Sequence, residues 1–138
     1  MVDDSQLEQR YVGKLLASFN ECRVSFARNG EEALTAVAKE PPAAVLTDLH
    51  LPKLDGLSFV EKMRERFPLV PVVLMTASGS ERVAVDALRA GAADYVPKQA
   101  LAHDLAPVLE RVLALRQAEH RRFRVLAGMT RRSSQFVL

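Results

Sequence analysis

The chain has 138 residues, 49% of them hydrophobic and 26% charged, with 19 basic and 17 acidic side chains and a formal net charge of +2. A chain of this length buries roughly two-thirds of the surface its unfolded form exposes, so it needs no disulfide or metal to hold a core, and disordered or collagen-like classes are excluded. The longest uncharged apolar stretch, near Val70 to Ala77 and broken by Pro71, falls short of the ~20 residues of a membrane helix. No basic segment followed by an apolar one opens the chain, which predicts a cytoplasmic protein. The single Cys22 can form neither an internal disulfide nor a thiolate zinc site, and reads as a small apolar strand residue. The charge is uneven: residues 1–109 carry a net −3 and residues 110–138 a net +5, an acidic body bearing an arginine-rich tail.

The first helix is predicted over Ser5 to Phe19. Ser5 and Glu8 have capping-box spacing, and Leu7, Tyr11, Leu15 and Phe19 recur on one face. Cys22, Val24 and Phe26 then alternate with polar residues, the period of a half-buried strand. Asn29 and Gly30 end it. Leu34, Val37 and Ala38 mark a second helix, which Pro41 and Pro42 stop. Ala43 to Thr47 is a short continuous apolar run, the pattern of a central parallel strand covered on both faces. Leu57, Val60, Met63 and Phe67 stripe a third helix that ends at Pro68. Val70 to Met75 is a second buried strand, Ser80 to Ala90 a helix closed by Gly91, and Ala93 to Val96 a last strand. Leu101, Leu105, Val108, Val112 and Leu115 stripe the final helix. This alternation predicts a doubly wound α/β domain with helices on both faces of a parallel sheet.

In such a sheet the ligand crevice lies at the carboxyl ends of the strands. The residues there are Asp3 and Asp4, Asp48, Thr76 and Lys98. Three converging carboxylates repel one another and require a cation, and an all-oxygen set with room for water suits Mg²⁺. Lys98 and the Thr76 hydroxyl can donate to anionic oxygens, and a carboxylate beside the metal is positioned to attack phosphorus. Taken singly, each residue has a plainer reading: a turn cap for Asp, a backbone-satisfying hydroxyl for Thr, a solvated Lys. Their recurrence at successive strand ends favours phosphorylation of an aspartate.

Asp3-Asp4, the run from Asp48 to Gly56 (Asp-Leu-His-Leu-Pro-Lys-Leu-Asp-Gly), the Thr76-Ala77 pair and Asp94-Tyr95-Val96-Pro97-Lys98 together resemble the receiver domain of bacterial two-component response regulators. The resemblance covers about residues 1–115. It implies a flavodoxin-like five-stranded parallel sheet of order 2-1-3-4-5, numbered from the strand that ends in Asp3-Asp4. Asp48 would be the phosphoacceptor, served by a sensor histidine kinase or a phosphotransfer protein. Asp4 would bind Mg²⁺ directly, Asp3 largely through water, and the backbone carbonyl of His50 would be a further ligand beside Asp48. Lys98 would pair with the phosphoryl oxygens, Thr76 would move toward them, and Tyr95 would turn inward as the aromatic switch. Pro97 is the candidate for a cis peptide that aims Lys98. The His50 imidazole lies at the rim, where it would modulate attacking water. The surface expected to change, and to dimerise, is built by the helix ending at Ala90, the strand ending at Val96 and the final helix.

Two departures qualify this picture. Only Met1 and Val2 precede the acidic pair, so the first strand is expected to be short or to start upstream. Residues 116–138 read as a basic helical extension and a linker toward an output domain outside this sequence, with Gln135 to Leu138 resembling the beginning of a following domain's strand. This tail is too short for a typical DNA-binding domain and reads as a solvated connector. Two other functions fit parts of the sequence. A protein-interaction module would keep the fold with little phosphorylation. An aspartate-nucleophile, Mg²⁺-dependent phosphatase usually carries a second acid two residues after the nucleophile, where this chain has His50.

Overall fold

A computed structural model describes residues 6–17, 23–48, 56–77, 81–127 and 135–137. In chain order the elements are α1 (Gln6–Ala17), β1 (Arg23–Ser25), α2 (Gly30–Lys39), β2 (Ala44–Asp48), α3 (Gly56–Arg66), β3 (Val72–Thr76), α4 (Glu81–Ala90), β4 (Asp94–Pro97), a 3₁₀ turn at Lys98–Ala100, α5 (Leu101–Ala127) and β5 (Gln135–Val137). The strands form one parallel sheet of order β1-β5-β2-β3-β4.

Every residue of β2 and β3 is buried, which explains why these segments read as unbroken apolar runs. The period-2 geometry of the strand still sorts them. Ala44, Leu46, Val73 and Met75 join Val12 and Leu16 of α1 and Leu101, Leu105, Val108, Leu109 and Val112 of α5 in one core. Val45, Val72 and Leu74 face the opposite way, onto Leu34 and Val37 of α2, Phe59, Val60 and Met63 of α3 and Ala87 of α4. The sheet is therefore sandwiched between two helical layers.

Local chemistry sets the helix ends. The Asn29 side chain accepts a hydrogen bond from the Glu32 N–H at 2.9 Å, capping α2, and Glu31 and Glu32 complement the dipole in its first turn. At the end of α4, Ala92 N–H donates to the Ala87 carbonyl at 3.0 Å and Gly91 N–H to Leu88 at 3.1 Å, the paired bonds of a Schellman cap. Gly91 has φ +124°, a conformation that a side chain disfavours, and a Cβ there would lie 2.6 Å from Cδ of Arg64.

Four expectations need revising. The buried face of α1 carries Val12 and Leu16, whereas Leu7 is 79% and Tyr11 46% exposed and Leu15 half-buried. Tyr11-Val12 and Leu15-Leu16 are adjacent apolar pairs, so helical spacing supports two neighbouring stripes, and packing against α5 selects the aliphatic one. Phe26, expected on the buried side of its strand, is 45% exposed beyond the end of β1. The peptide before Pro97 is trans. Proline then sits in extended conformation ahead of the 3₁₀ turn, the isomer that X–Pro bonds favour by about 0.5–1 kcal/mol. Finally, Gln135 to Val137 does form a strand, but in this sheet: β5 takes the second position, where the order 2-1-3-4-5 puts the strand ending in Asp3-Asp4. Asp3, Asp4, Phe19, Cys22 and His50 lie outside the described residues.

Candidate functional site

Parallel pairing brings three predicted residues to one end of the sheet. Asp48 is the last residue of β2 and stands opposite Met75 of β3, while Thr76, the last residue of β3, stands opposite Pro97 of β4. β3 thus reaches one residue beyond β2, β4 ends level with β3, and Lys98, the next residue after Pro97, closes the row. Its Nζ donates to Oδ2 of Asp48 at 2.6 Å. This is a short charge-assisted bond across fifty residues of sequence.

The row is buried at its base. Asp48 is 6% and Thr76 3% exposed, while the Lys98 side chain keeps 30% of its surface, so the ammonium reaches inward from the rim. Thr47 is fully buried beside them and its hydroxyl donates to the Asp48 carbonyl at 3.0 Å. A nearly buried carboxylate at the end of β2 thus lies beside the ammonium of Lys98. Such an arrangement can present an oxygen nucleophile to an electrophile carrying negative charge, with the ammonium available to that charge.

Tyr95 is half-buried and packs with the α2, α3 and α4 core, on the face opposite Val96. Among the described residues no three His, Cys, Asp or Glu side chains come together to hold a metal ion. Asp48 is the one expected ligand whose position is described. Its hard, buried carboxylate has the donor chemistry that Mg²⁺ prefers, and the partners it would need are the acidic pair and the His50 carbonyl.

One pair escaped the sequence reading. Asp94 at the start of β4 accepts from the Tyr95 N–H at 2.8 Å through Oδ1 and forms an ion pair with Arg111 through Oδ2. It ties the middle of α5 to the strand that carries Tyr95 and leads to Lys98. Seventeen residues separate the two charges, and no helical or strand periodicity links them.

Residues 1–110 match the family model described as the response regulator receiver domain. The chain belongs to the response regulator receiver family. This receiver is 32% identical over 114 residues to the DNA-binding transcriptional regulator NtrC of Salmonella typhimurium, covering 83% of this chain and 24% of that protein. It is 37% identical over 114 residues to the response regulator MprA of Mycobacterium leprae, covering 83% of this chain and 48% of that protein. It thus spans about a quarter to a half of the length of these relatives. Among solved structures, the receiver domain of NtrX from Brucella abortus superposes with a TM-score of 0.75 at 33% identity, covering 82% of this chain and 95% of that one. The flavodoxin-like fold expected from the motifs is therefore shared with solved receivers, and the receiver's place is in two-component signalling.

Proposed function

We propose that this receiver is a switch controlled by phosphorylation of Asp48. The observation that carries the reading is the 2.6 Å bond between Lys98 Nζ and Asp48 Oδ2 at the buried carboxyl edge of the sheet, with Thr76 on the strand between them. A carboxylate oxygen of Asp48 attacks the phosphorus of a phosphodonor; a new P–O bond forms, the bond to the donor's leaving group breaks, and an acyl phosphate results. Lys98 then shifts its hydrogen bond from the carboxylate to the transferred phosphoryl oxygens. The Thr76 hydroxyl donates to the same group, and Tyr95 follows inward, changing the surface formed by α4, β4 and α5. Mg²⁺ held by Asp3, Asp4, Asp48 and the His50 carbonyl would neutralise charge on the phosphoryl group during transfer. The donor is a histidine kinase or phosphotransfer protein, and the output is a domain linked to this one in a longer cytoplasmic regulator.

Incubation with Mg²⁺ and acetyl phosphate, followed by intact mass measurement, tests the proposal. One phosphoryl adduct is expected, absent in Asp48→Asn. An unmodified wild-type chain would instead support an interaction module, and sustained turnover of unrelated phosphate esters would support a phosphatase.

A further inference from the structure

A cavity of about 220 Å³ lies at the end of the sheet opposite Asp48 and Lys98. Val72, which opens β3, and Ala93, which directly precedes β4, place it at the amino edge, and residues of both α3 and α5 line it, so it wraps around that edge from one helical layer to the other. Its floor is apolar: Val60, Val72 and Val112 are buried. Backbone polarity there is already used. The Val72 carbonyl accepts from the Ala93 N–H at 2.8 Å and the Pro71 carbonyl from the Val45 N–H at 2.9 Å, while Pro68 and Pro71 have no N–H to offer. Leu69 and Leu115, which also line the cavity, are exposed.

Two cations line the same space. Arg64 comes from α3, with its aliphatic stem over Gly91 and its Nη1 donating to the Ala90 carbonyl at 3.5 Å, a long contact. Among the described residues no carboxylate pairs with it. Arg111 comes from α5 and is paired with Asp94. Asp94 therefore balances one guanidinium of the two, and a positive charge is left beside an apolar hollow. Guanidinium groups recognise carboxylates through paired, charge-assisted hydrogen bonds. Size narrows the ligand further: an apolar cavity of about 150 Å³ is enough for benzene, so this one has room for a six-membered ring with a carboxylate attached.

We propose that this cavity is a second binding site, for a small carboxylate with a ring-sized apolar body. The body lies against Val60, Val112 and Leu115, and the carboxylate is held by Arg64 and Arg111. Asp94 competes with the ligand for Arg111. The site stands at the other end of the sheet from Asp48 and does not depend on whether Asp48 is phosphorylated.

The test titrates benzoate into the isotope-labelled full chain and follows amide chemical shifts by NMR. Saturable shifts are expected at Gly91, Ala93 and Val112, with benzamide, the uncharged isostere, binding at least about tenfold more weakly. Arg64→Met keeps a stem over Gly91, removes the charge, and is expected to weaken benzoate at least about fivefold. Asp94→Asn keeps an acceptor for the Tyr95 N–H but removes the competing charge, so it is expected to tighten benzoate at least about threefold. Ala93→Phe, at an exposed position, fills the hollow and is expected to abolish binding while the rest of the spectrum stays native-like. No saturable shift at these amides up to about 50 mM benzoate, where ligands far weaker than millimolar are bound, overturns the proposal. So does benzamide binding as well as benzoate, which would report an adventitious apolar contact, or a benzoate affinity that Arg64→Met and Asp94→Asn leave unchanged.

Discussion

The Asp48–Lys98 pair yields a quantitative prediction for stability. At 2.6 Å and an effective dielectric constant of about 20, the Coulomb attraction is about 6 kcal/mol before any desolvation is counted. Most of that is offset by removing a nearly buried carboxylate from water. Lys98 retains 30% exposure, which screens the remainder, so the net coupling should fall between a surface pair and a buried one, at about 1–2 kcal/mol. The perturbation is Lys98→Met, which keeps the apolar stem and removes the charge, combined with Asp48→Asn in a double-mutant cycle. Urea unfolding of the four proteins measures it. Lys98→Met alone should be the costlier single change, because it leaves a carboxylate buried without its cation, whereas Asp48→Asn leaves an amide beside a lysine that can turn to solvent. A coupling below about 0.3 kcal/mol, within the usual additivity of independent sites, would refute the view that Lys98 holds Asp48 in place.

Other outcomes follow from the same framework. Gly91→Ala should destabilise the domain by about 1–3 kcal/mol in urea unfolding, since alanine is strained at φ +124°. Adding Arg64→Ala relieves only the steric contact, so the backbone part of the loss should persist. Phe59→Ala, which empties a fully buried site between α3 and the sheet, should cost about 3–5 kcal/mol by the same assay. Lys98→Met should also slow labelling by acetyl phosphate at least about tenfold, because it removes one donor to the developing charge.

Much of this architecture is written in the residues. Ala43 to Thr47 and Val70 to Met75 are apolar on both faces because helices cover both, and the prolines and Gly91 mark helix ends for reasons of backbone chemistry alone. Asp48, Thr76 and Lys98 were legible because chain order and parallel pairing suffice to bring strand ends together. What was hidden depends on three-dimensional competition. Adjacent apolar pairs on α1 leave its inner face undecided until α5 packs against it. Asp94 and Arg111 meet only because α5 folds back along β4. The seat of Gln135 to Val137 could not be read from its apolar character, which fits any strand; it requires knowing that α5 runs on the face opposite α2, α3 and α4. A crossover that reverses direction and changes face keeps its hand, and this lets the chain return to the middle of the sheet.

Identification of the labelled residue is the most direct test of the central claim. After incubation with Mg²⁺ and acetyl phosphate, borohydride reduction converts an acyl phosphate on aspartate to homoserine, and peptide mass spectrometry locates the change. The account predicts homoserine at position 48 and at no other aspartate. Homoserine elsewhere with Asp48 intact, or no conversion in the wild-type chain, would contradict it.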